Sequence, residues 1–212
     1  MTEVFNEDCM VGMARYPDKY FDLAIVDPPF GIGQSWTKDP NSKFYKHRST
    51  YKNDRIPTQE YFTELFRVSK DQIIWGCNYY WNYLTPTNNL IFWDKVRDPF
   101  VTFNSAGELA WTSKTHVSFS KVTLQWNGCF TSEDRSGIHP HEKPIGLYTW
   151  QLKNYAKPGD KILDTFLGSG SSRIAAHDMG FDFTGFEIDK DYFEASEKRF
   201  QQHISQLTMF AK

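Results

Sequence analysis

The feature that most constrains the fold is an apolar strand that runs into a glycine-rich turn and then into a helix. Residues Lys161 to Asp164 form the apolar run of a buried strand, and Gly168-Ser169-Gly170 supplies the small residues of a tight turn. A helical pattern follows from Ser172 to Met179. This unit is typical of the first crossover of a doubly wound α/β sheet, where the glycines let a ligand approach the backbone closely. It predicts a mostly parallel sheet.

A second apolar strand ends in an acid, two prolines and an aromatic residue. Leu23 to Val26 leads into Asp27-Pro28-Pro29-Phe30, and proline cannot donate to a ladder, so the strand must end at Asp27. The prolines hold the Asp27 carboxylate, the Pro28 carbonyl and the Phe30 ring in a stiff arrangement. Two acceptors and a ring suit a flat group that bears an NH2, such as adenine or cytosine. The alternative from these four residues alone is an ordinary turn after a strand.

A third strand ends in Glu187, which follows Phe183-Thr184-Gly185-Phe186. A carboxylate at this distance from a glycine-rich turn can accept hydrogen bonds from both hydroxyls of a ribose. Carboxyl ends of parallel strands meet at one edge of a sheet, where ligand crevices form. We therefore expect Asp27, Asp164 and Glu187 to face one cleft.

The remaining periodic segments alternate between helix and strand, as a parallel sheet with crossover helices requires. The predicted helices are 10–15, 57–69, 145–155 and 189–206, and the further predicted strands are 72–76, 90–94, 108–112 and 122–126. The chain has 212 residues, so we expect one domain over 1–212.

A long polar loop at 34–56 has no hydrophobic period and combines basic with aromatic side chains. This composition suits contact with phosphates and stacking on bases, and loops of this length tend to be functional. The alternative is a solvated loop with incidental charges. The net charge of the chain is −2, so any nucleic-acid contact must be local. The predicted DNA-binding residues are Lys38, Lys43, Lys46, His47, Arg48, Lys52 and Arg55.

Composition also excludes several classes of protein. Three widely spaced cysteines, Cys9, Cys77 and Cys129, make no metal pattern and indicate free thiols in a reducing compartment. The pair His139 and His141 has no third ligand nearby, so we predict no metal site. No signal peptide or membrane-spanning stretch is visible, which predicts a cytoplasmic protein without a membrane partner.

Four motifs occur in one order along the chain: DPPF at 27–30, HPxxKP at 139–144, DTFLGSGS at 164–171 and GFE at 185–187. In this order the chain resembles the amino-methylating DNA methyltransferases that use S-adenosylmethionine (SAM), in their β group, where the catalytic half precedes the cofactor half. The resemblance implies a permuted, Rossmann-like class I methyltransferase fold. Thr165 and Ser171 depart mildly from the family's Pro and Thr.

The resemblance also implies roles for individual residues. Asp27, Pro28, Pro29 and Phe30 would be catalytic, and the methyl group would pass directly to an amine of a flipped-out base. Lys143 would neutralise the negative charge of the cofactor's carboxylate. The residues implied in SAM binding are Asp8, Cys9, Asp27, Lys143, Asp164, Thr165, Phe166, Gly168, Ser169, Gly170, Ser171, Glu187 and Ile188. For Asp8, a helix N-cap is an equally good interpretation.

The resemblance further implies double-stranded DNA as the partner, a short target-recognition region at 95–137, and a homodimer. Asp in the first motif position favours adenine, and the compact size is similar to that of phage, prophage or solitary methylases. A cytosine 4-amino methyltransferase is one alternative. An RNA or protein amine methyltransferase and a cofactor- or DNA-binding module without turnover are the others.

Overall fold

The structure is a computed structural model that describes residues 1–31, 54–96, 105–115, 119–126, 133, 136–139 and 141–210, with side chains in the last helix described as far as Gln206. The described strands are β1 (Thr2–Phe5), β2 (Phe21–Val26), β3 (Ser69–Trp75), β4 (Leu90–Asp94), β5 (Gly107–Thr112), β6 (Phe119–Thr123), β7 (Lys161–Asp164) and β8 (Asp182–Phe186). The described helices are α1 (Cys9–Met13), α2 (Gln59–Val68), α3 (Ile145–Tyr155), α4 (Ser171–Asp178) and α5 (Lys190–Phe210). None of them is long and apolar enough to cross a membrane.

The described strands form one eight-stranded sheet in the order β1-β8-β7-β2-β3-β5-β4-β6. Strand β5 is antiparallel to both of its neighbours, β3 and β4, and every other neighbouring pair is parallel. The predicted α/β class with a mostly parallel sheet is confirmed. Because β5 runs against the others, its amino end lies at the edge where the parallel strands have their carboxyl ends.

The sheet is buried on both faces, which explains why its central strands are continuously apolar. Along β2, Leu23 and Ile25 pack into a core with helices α3 and α4, whereas Ala24 and Val26 pack into a second core with α1 and α2. This alternation follows from the two-residue period of a strand. Packing on both faces holds β2 rigidly, and Asp27 is the first residue after this strand.

Two strands differ from the sequence prediction. Strand β1 was not predicted, because its four residues include Thr2 and Glu3 and carry no apolar run, but it pairs in parallel with β8 at the edge of the sheet. The strand predicted at 122–126 lies earlier, as β6. Strands β5 and β6 both fall within 95–137, so the described part of the predicted recognition region includes two strands of the central sheet.

Candidate active site

The carboxyl ends of β2, β7 and β8 open into a cavity of about 390 Å³. All four predicted catalytic residues line it, as do the predicted cofactor residues except Asp164 and Gly170. The lining residues from the two predicted sets are Asp8, Cys9, Asp27, Pro28, Pro29, Phe30, Lys143, Thr165, Phe166, Gly168, Ser169, Ser171, Glu187 and Ile188. One crevice thus brings together groups from both halves of the chain, as the rule for parallel sheets requires.

The two carboxylate oxygens of Asp27 have different surroundings. Lys143 donates from Nζ to Asp27 Oδ2 at 2.6 Å. The other oxygen, Oδ1, is buried and accepts no hydrogen bond from any described residue. Burial raises the pKa of Asp27, and the nearby Lys143 ammonium opposes that rise. A buried acceptor without a donor is costly, so Oδ1 is suited to a donor that a ligand would bring.

Pro28 presents the second acceptor of the motif, and a tyrosine already contacts it. Tyr80 donates its hydroxyl to the Pro28 carbonyl at 2.5 Å and lies 2.8 Å from the Pro29 carbonyl. A carbonyl oxygen has two lone pairs, so the Pro28 oxygen keeps capacity for one more donor. The Tyr80 hydroxyl fixes the direction of both carbonyls.

Phe30 stacks on Tyr79, with ring centroids 4.8 Å apart and planes at 11°. The space for the ring depends on Gly76, which has a φ of +69°, and a Cβ there would lie 2.2 Å from Phe30 Cε1. Gly76 therefore serves two needs, a left-handed turn after β3 and room for Phe30. The edge of His141 faces the same ring at a centroid distance of 6.5 Å.

Lys143 lies between two carboxylates and its side chain is only 4% exposed. Besides Asp27, its Nζ contacts Glu108 Oε2 at 2.9 Å, and Glu108 also pairs with Lys95 through Oε1. Burial works against each charge, but the flanking carboxylates raise the pKa of Lys143 and the two ammonium groups lower that of Glu108. The four groups therefore form a row of alternating charges with no net charge.

The glycine-rich turn is fixed by hydrogen bonds from uncharged donors. Asp164, behind the turn, accepts the Ser172 hydroxyl at 2.6 Å and the Phe166 amide at 3.0 Å. Burial raises the pKa of Asp164 to about 7. Gly168 and Gly170 have φ of +52° and +77°, a conformation that residues with a Cβ adopt only with strain. The positive φ angles explain why glycine occupies both positions of this turn.

Two further carboxylates border the turn. Glu187 accepts the Gly168 amide at 2.8 Å and the Asp189 amide at 2.9 Å. Asp8 caps α1 by accepting the Met10 amide at 2.8 Å, and it also lines the cavity. The two interpretations that the sequence left open for Asp8 are therefore compatible.

Residues from α2 and α5 brace the turn. The Tyr61 hydroxyl lies 2.7 Å from Thr165 Oγ1. Arg199 donates to the Ser169 carbonyl at 3.0 Å and to the Ser171 hydroxyl at 2.9 Å, and it also pairs with the buried Glu142 at 3.4 Å. These contacts hold the cavity wall in one shape.

Most of the predicted DNA-binding residues, Lys38, Lys43, Lys46, His47, Arg48 and Lys52, lie outside the described residues. Arg55 is described and lines the cavity. The Gly31 amide donates to Asp54 Oδ1 at 2.8 Å, which joins the two described residues that flank 32–53. Gly31 directly follows Phe30, and Asp54 and Phe30 both line the cavity.

A family model described as DNA methylase, covering N6-adenine and N4-cytosine enzymes, matches residues 69–198, which is more than half of the chain. The chain belongs to this DNA methylase family. Its curated relatives include the type II methyltransferase M2.MboI of Moraxella bovis, which is 23% identical over 94% of this chain and 87% of that protein.

Solved structures show the same fold as this methylase. M1.HpyAVI, solved as a complex with SAM, has a TM-score of 0.60 at 17% identity, over 94% of this chain and all of that one. The PvuII DNA methyltransferase, described as cytosine-N4-specific, has a TM-score of 0.63 at 14% identity, over 97% of this chain and 93% of that one.

Several residues of the methylase site were not predicted, because they come from segments without a motif. Tyr61 lies within the predicted helix 57–69 and Glu108 begins the predicted strand 108–112, and neither these two residues nor Tyr80 was assigned to the site. His141 was considered only as a metal ligand; burial and the Lys143 charge lower its pKa to about 4, so the ring is neutral at pH 7. In the described part of the chain, no three His, Cys, Asp or Glu side chains form a group that could hold a metal ion.

Proposed function

We propose that this methylase transfers the methyl group of SAM to the 6-amino group of adenine in duplex DNA. The observation that carries the proposal is Asp27, which lines a cavity that also reaches the glycine-rich turn and whose Oδ1 is a buried acceptor without a described donor. An exocyclic amine supplies the missing donor. Asp in the first position of the motif favours adenine, through the resemblance of the DPPF segment.

The residues around the glycine-rich turn fit SAM. When bound, SAM supplies a sulfonium methyl group, which is electrophilic. The Glu187 carboxylate borders the turn and is suited to accept the ribose hydroxyls, while Asp8 and Cys9 line the same cavity and would contact the adenine of SAM, as the resemblance implies. The left-handed glycines leave space where a Cβ would stand. A contact of Lys143 with the cofactor carboxylate stays a prediction, since Asp27 and Glu108 already neutralise its ammonium.

The chemistry that we assign to the catalytic residues is charge stabilisation. The amino nitrogen of adenine is a poor nucleophile because its lone pair is delocalised into the ring. Asp27 Oδ1 and the Pro28 carbonyl each accept one amino hydrogen, which favours a tetrahedral nitrogen and stabilises the positive charge that develops as it attacks. The nitrogen would bond the methyl carbon as the carbon–sulfur bond breaks, and the surplus amino proton would leave through the hydrogen bond to Asp27 Oδ1. Phe30, supported by Tyr79, holds the base by stacking. Proximity and electrostatics then supply the rate.

A base inside a duplex cannot reach Asp27, so the target adenine must be flipped out of the stack. The predicted DNA-binding loop supports this step, because Asp54 and Arg55, which directly follow 32–53, line the cavity. Basic side chains there would contact phosphates beside the flipped base. The short recognition region and the homodimer stay predictions.

The experiment is transfer of labelled methyl from SAM to unmethylated duplex DNA, followed by mass spectrometry of the nucleosides, with Asp27→Ala as the control. We expect N6-methyladenine that disappears in the variant. No transfer to DNA from a folded protein that binds SAM would overturn the proposal and point to an RNA or protein substrate, or to a binding module.

N4-methylcytosine is the second candidate product. The similarity to the cytosine-N4-specific PvuII enzyme favours it, because the two chains share a fold over most of their lengths. The same acceptors serve a cytosine amine, so the mechanism would stand and only the base would change. The nucleoside analysis separates the two products directly.

A further inference from the structure

Four charged groups meet behind the DPPF motif, and two of them have no role in the function proposed above. Building on that function, we propose that Glu108 and Lys95 are positioning residues that act through Lys143. In this arrangement they keep Asp27 Oδ1 available for the amino group of the base. Neither residue contacts the substrate.

The geometry of Lys143 carries the first half of the inference. Its ammonium group donates a hydrogen bond to Asp27 Oδ2 at 2.6 Å, and the same Nζ forms an ion pair with Glu108 Oε2 at 2.9 Å. Without Glu108, the ammonium loses this second carboxylate while Asp27 Oδ1 remains buried without a described donor. Lys143 would then turn toward Oδ1 and occupy the oxygen that the amine needs. Glu108 thus restrains Lys143 to one oxygen of Asp27.

Electrostatics carries the second half. The Glu108 charge raises the pKa of Asp27, whereas the Lys95 charge lowers it. Lys95 also binds Glu108, so it limits how far Glu108 can draw Lys143 away from Asp27. Among the described residues, the titratable and charged groups that interact with Asp27 are Lys143, Glu108, Lys95, Tyr148 and Asp164. His141 interacts with Lys143, Glu108 and Lys95 of the same row.

The fold explains why these residues converge. Lys95 directly follows β4, Asp27 directly follows β2, and Glu108 lies at the amino end of β5. Strand β5 is antiparallel to β4, with Glu108 opposite Trp93, and this reversal brings its first residues to the catalytic edge. A parallel β5 would place Glu108 at the other end of the sheet.

The test compares Glu108→Gln, Lys95→Met and a matched control, Asp71→Asn. Asp71 is on β3, aligned with Leu23 in β2, and pairs with Lys114 at 2.9 Å, so the control also removes a half-buried acid of an ion pair from the same sheet. For each protein we would measure kcat for methyl transfer across pH, the Kd for SAM and the thermal midpoint.

In Glu108→Gln we expect kcat on the alkaline plateau to fall roughly tenfold, as for a misplaced catalytic group. The acidic limb of its kcat profile should move to lower pH, because the lost negative charge makes Asp27 a stronger acid. In Lys95→Met the acidic limb should move to higher pH. Opposite displacements are the decisive result, because a loss of packing or stability would not reverse sign between two neighbours.

The inference is overturned if the acidic limbs of both variants coincide with those of the wild type and Asp71→Asn, or move in the same direction. A fall in thermal midpoint with an unmoved limb would also overturn it, since the network would then be only structural. If Glu108→Gln does not fold, the direction in which the acidic limb of the Lys95→Met profile moves is the deciding result. Absence of transfer by the wild type overturns the proposed function instead, so the two failures are distinguishable.

Discussion

Asp27 and Asp164 end adjacent parallel strands, yet their surroundings are opposite. Both oxygens of Asp164 accept uncharged donors from its own turn, the Ser172 hydroxyl and the Phe166 amide. Asp27 receives one ammonium on one oxygen and leaves the other buried without a described donor. The Asp164 carboxylate has all of its donors within the protein and shapes the cofactor turn. The Asp27 carboxylate lacks a donor until a ligand supplies one, which is why we assign catalysis to Asp27.

The largest expected effect is that of Asp27→Ala. Its kcat for methyl transfer should fall by a factor on the order of a thousand, because an acceptor aligned with the developing charge is lost. Lys143 keeps Glu108 as a partner, so the fold and the affinity for SAM should persist. Calorimetry with SAM and single-turnover kinetics check both points. Loss of SAM binding in a folded variant would contradict the division between the two carboxylates.

Glu187→Gln should affect the cofactor side of the cavity instead. The amide keeps one acceptor but loses the charge and the second acceptor, so the Kd for SAM should rise about tenfold to a hundredfold. At saturating SAM, kcat should stay near the wild-type value. A titration of SAM at fixed DNA separates the two parameters, and a fall in kcat with unchanged Kd would refute this assignment.

Tyr80→Phe tests the support of the catalytic motif. The variant loses the hydroxyl that holds the Pro28 and Pro29 carbonyls, which should lower the free energy of unfolding by about 1 kcal/mol and reduce kcat severalfold. The control is Tyr83→Phe, on the neighbouring turn, where the ring stacks on Phe62. Urea denaturation measures the free energy of unfolding of both variants, and kinetics measures their kcat. Equal losses in both variants would show that the Pro28 contact has no special importance.

The last prediction concerns the pH dependence of stability and Asp164, and it involves no change in catalysis. Its pKa is raised to about 7 in the folded state, above about 4 in an unfolded chain, so folding holds this proton more tightly. Its stabilising contribution is therefore complete below about pH 4 and is lost as pH rises toward 7. Asp164→Asn should remove this part of the pH dependence. Urea denaturation of both proteins at several pH values checks this prediction. If the free energy of unfolding changes with pH by the same amount in the two proteins, the raised pKa is contradicted.

The comparison also shows what sequence patterns can predict. Asp27, Asp164 and Glu187 lie at the carboxyl ends of short apolar strands, and the rule that parallel strands share this edge predicted one cleft for all three. Asp27 and Glu187 line the cavity, whereas Asp164 lies behind the glycine-rich turn and does not. The glycines of the turn were predicted for the same local reason. Glu108 was predicted to begin a strand but not to reach the site, because nothing in 108–112 indicates that β5 is antiparallel. Tyr61 and Tyr80 are separated in sequence from the turns that they support.

Local sequence was enough to predict that β2, β7 and β8 end near Asp27, Asp164 and Glu187, and that proline and glycine fix the backbone there, since these are properties of a few neighbouring residues. Which distant side chains meet at those ends depends on the tertiary structure. The row from Lys95 through Glu108 and Lys143 to Asp27 depends on strand order and on one reversed strand. Such contacts are set by packing across the sheet, and no local pattern encodes them.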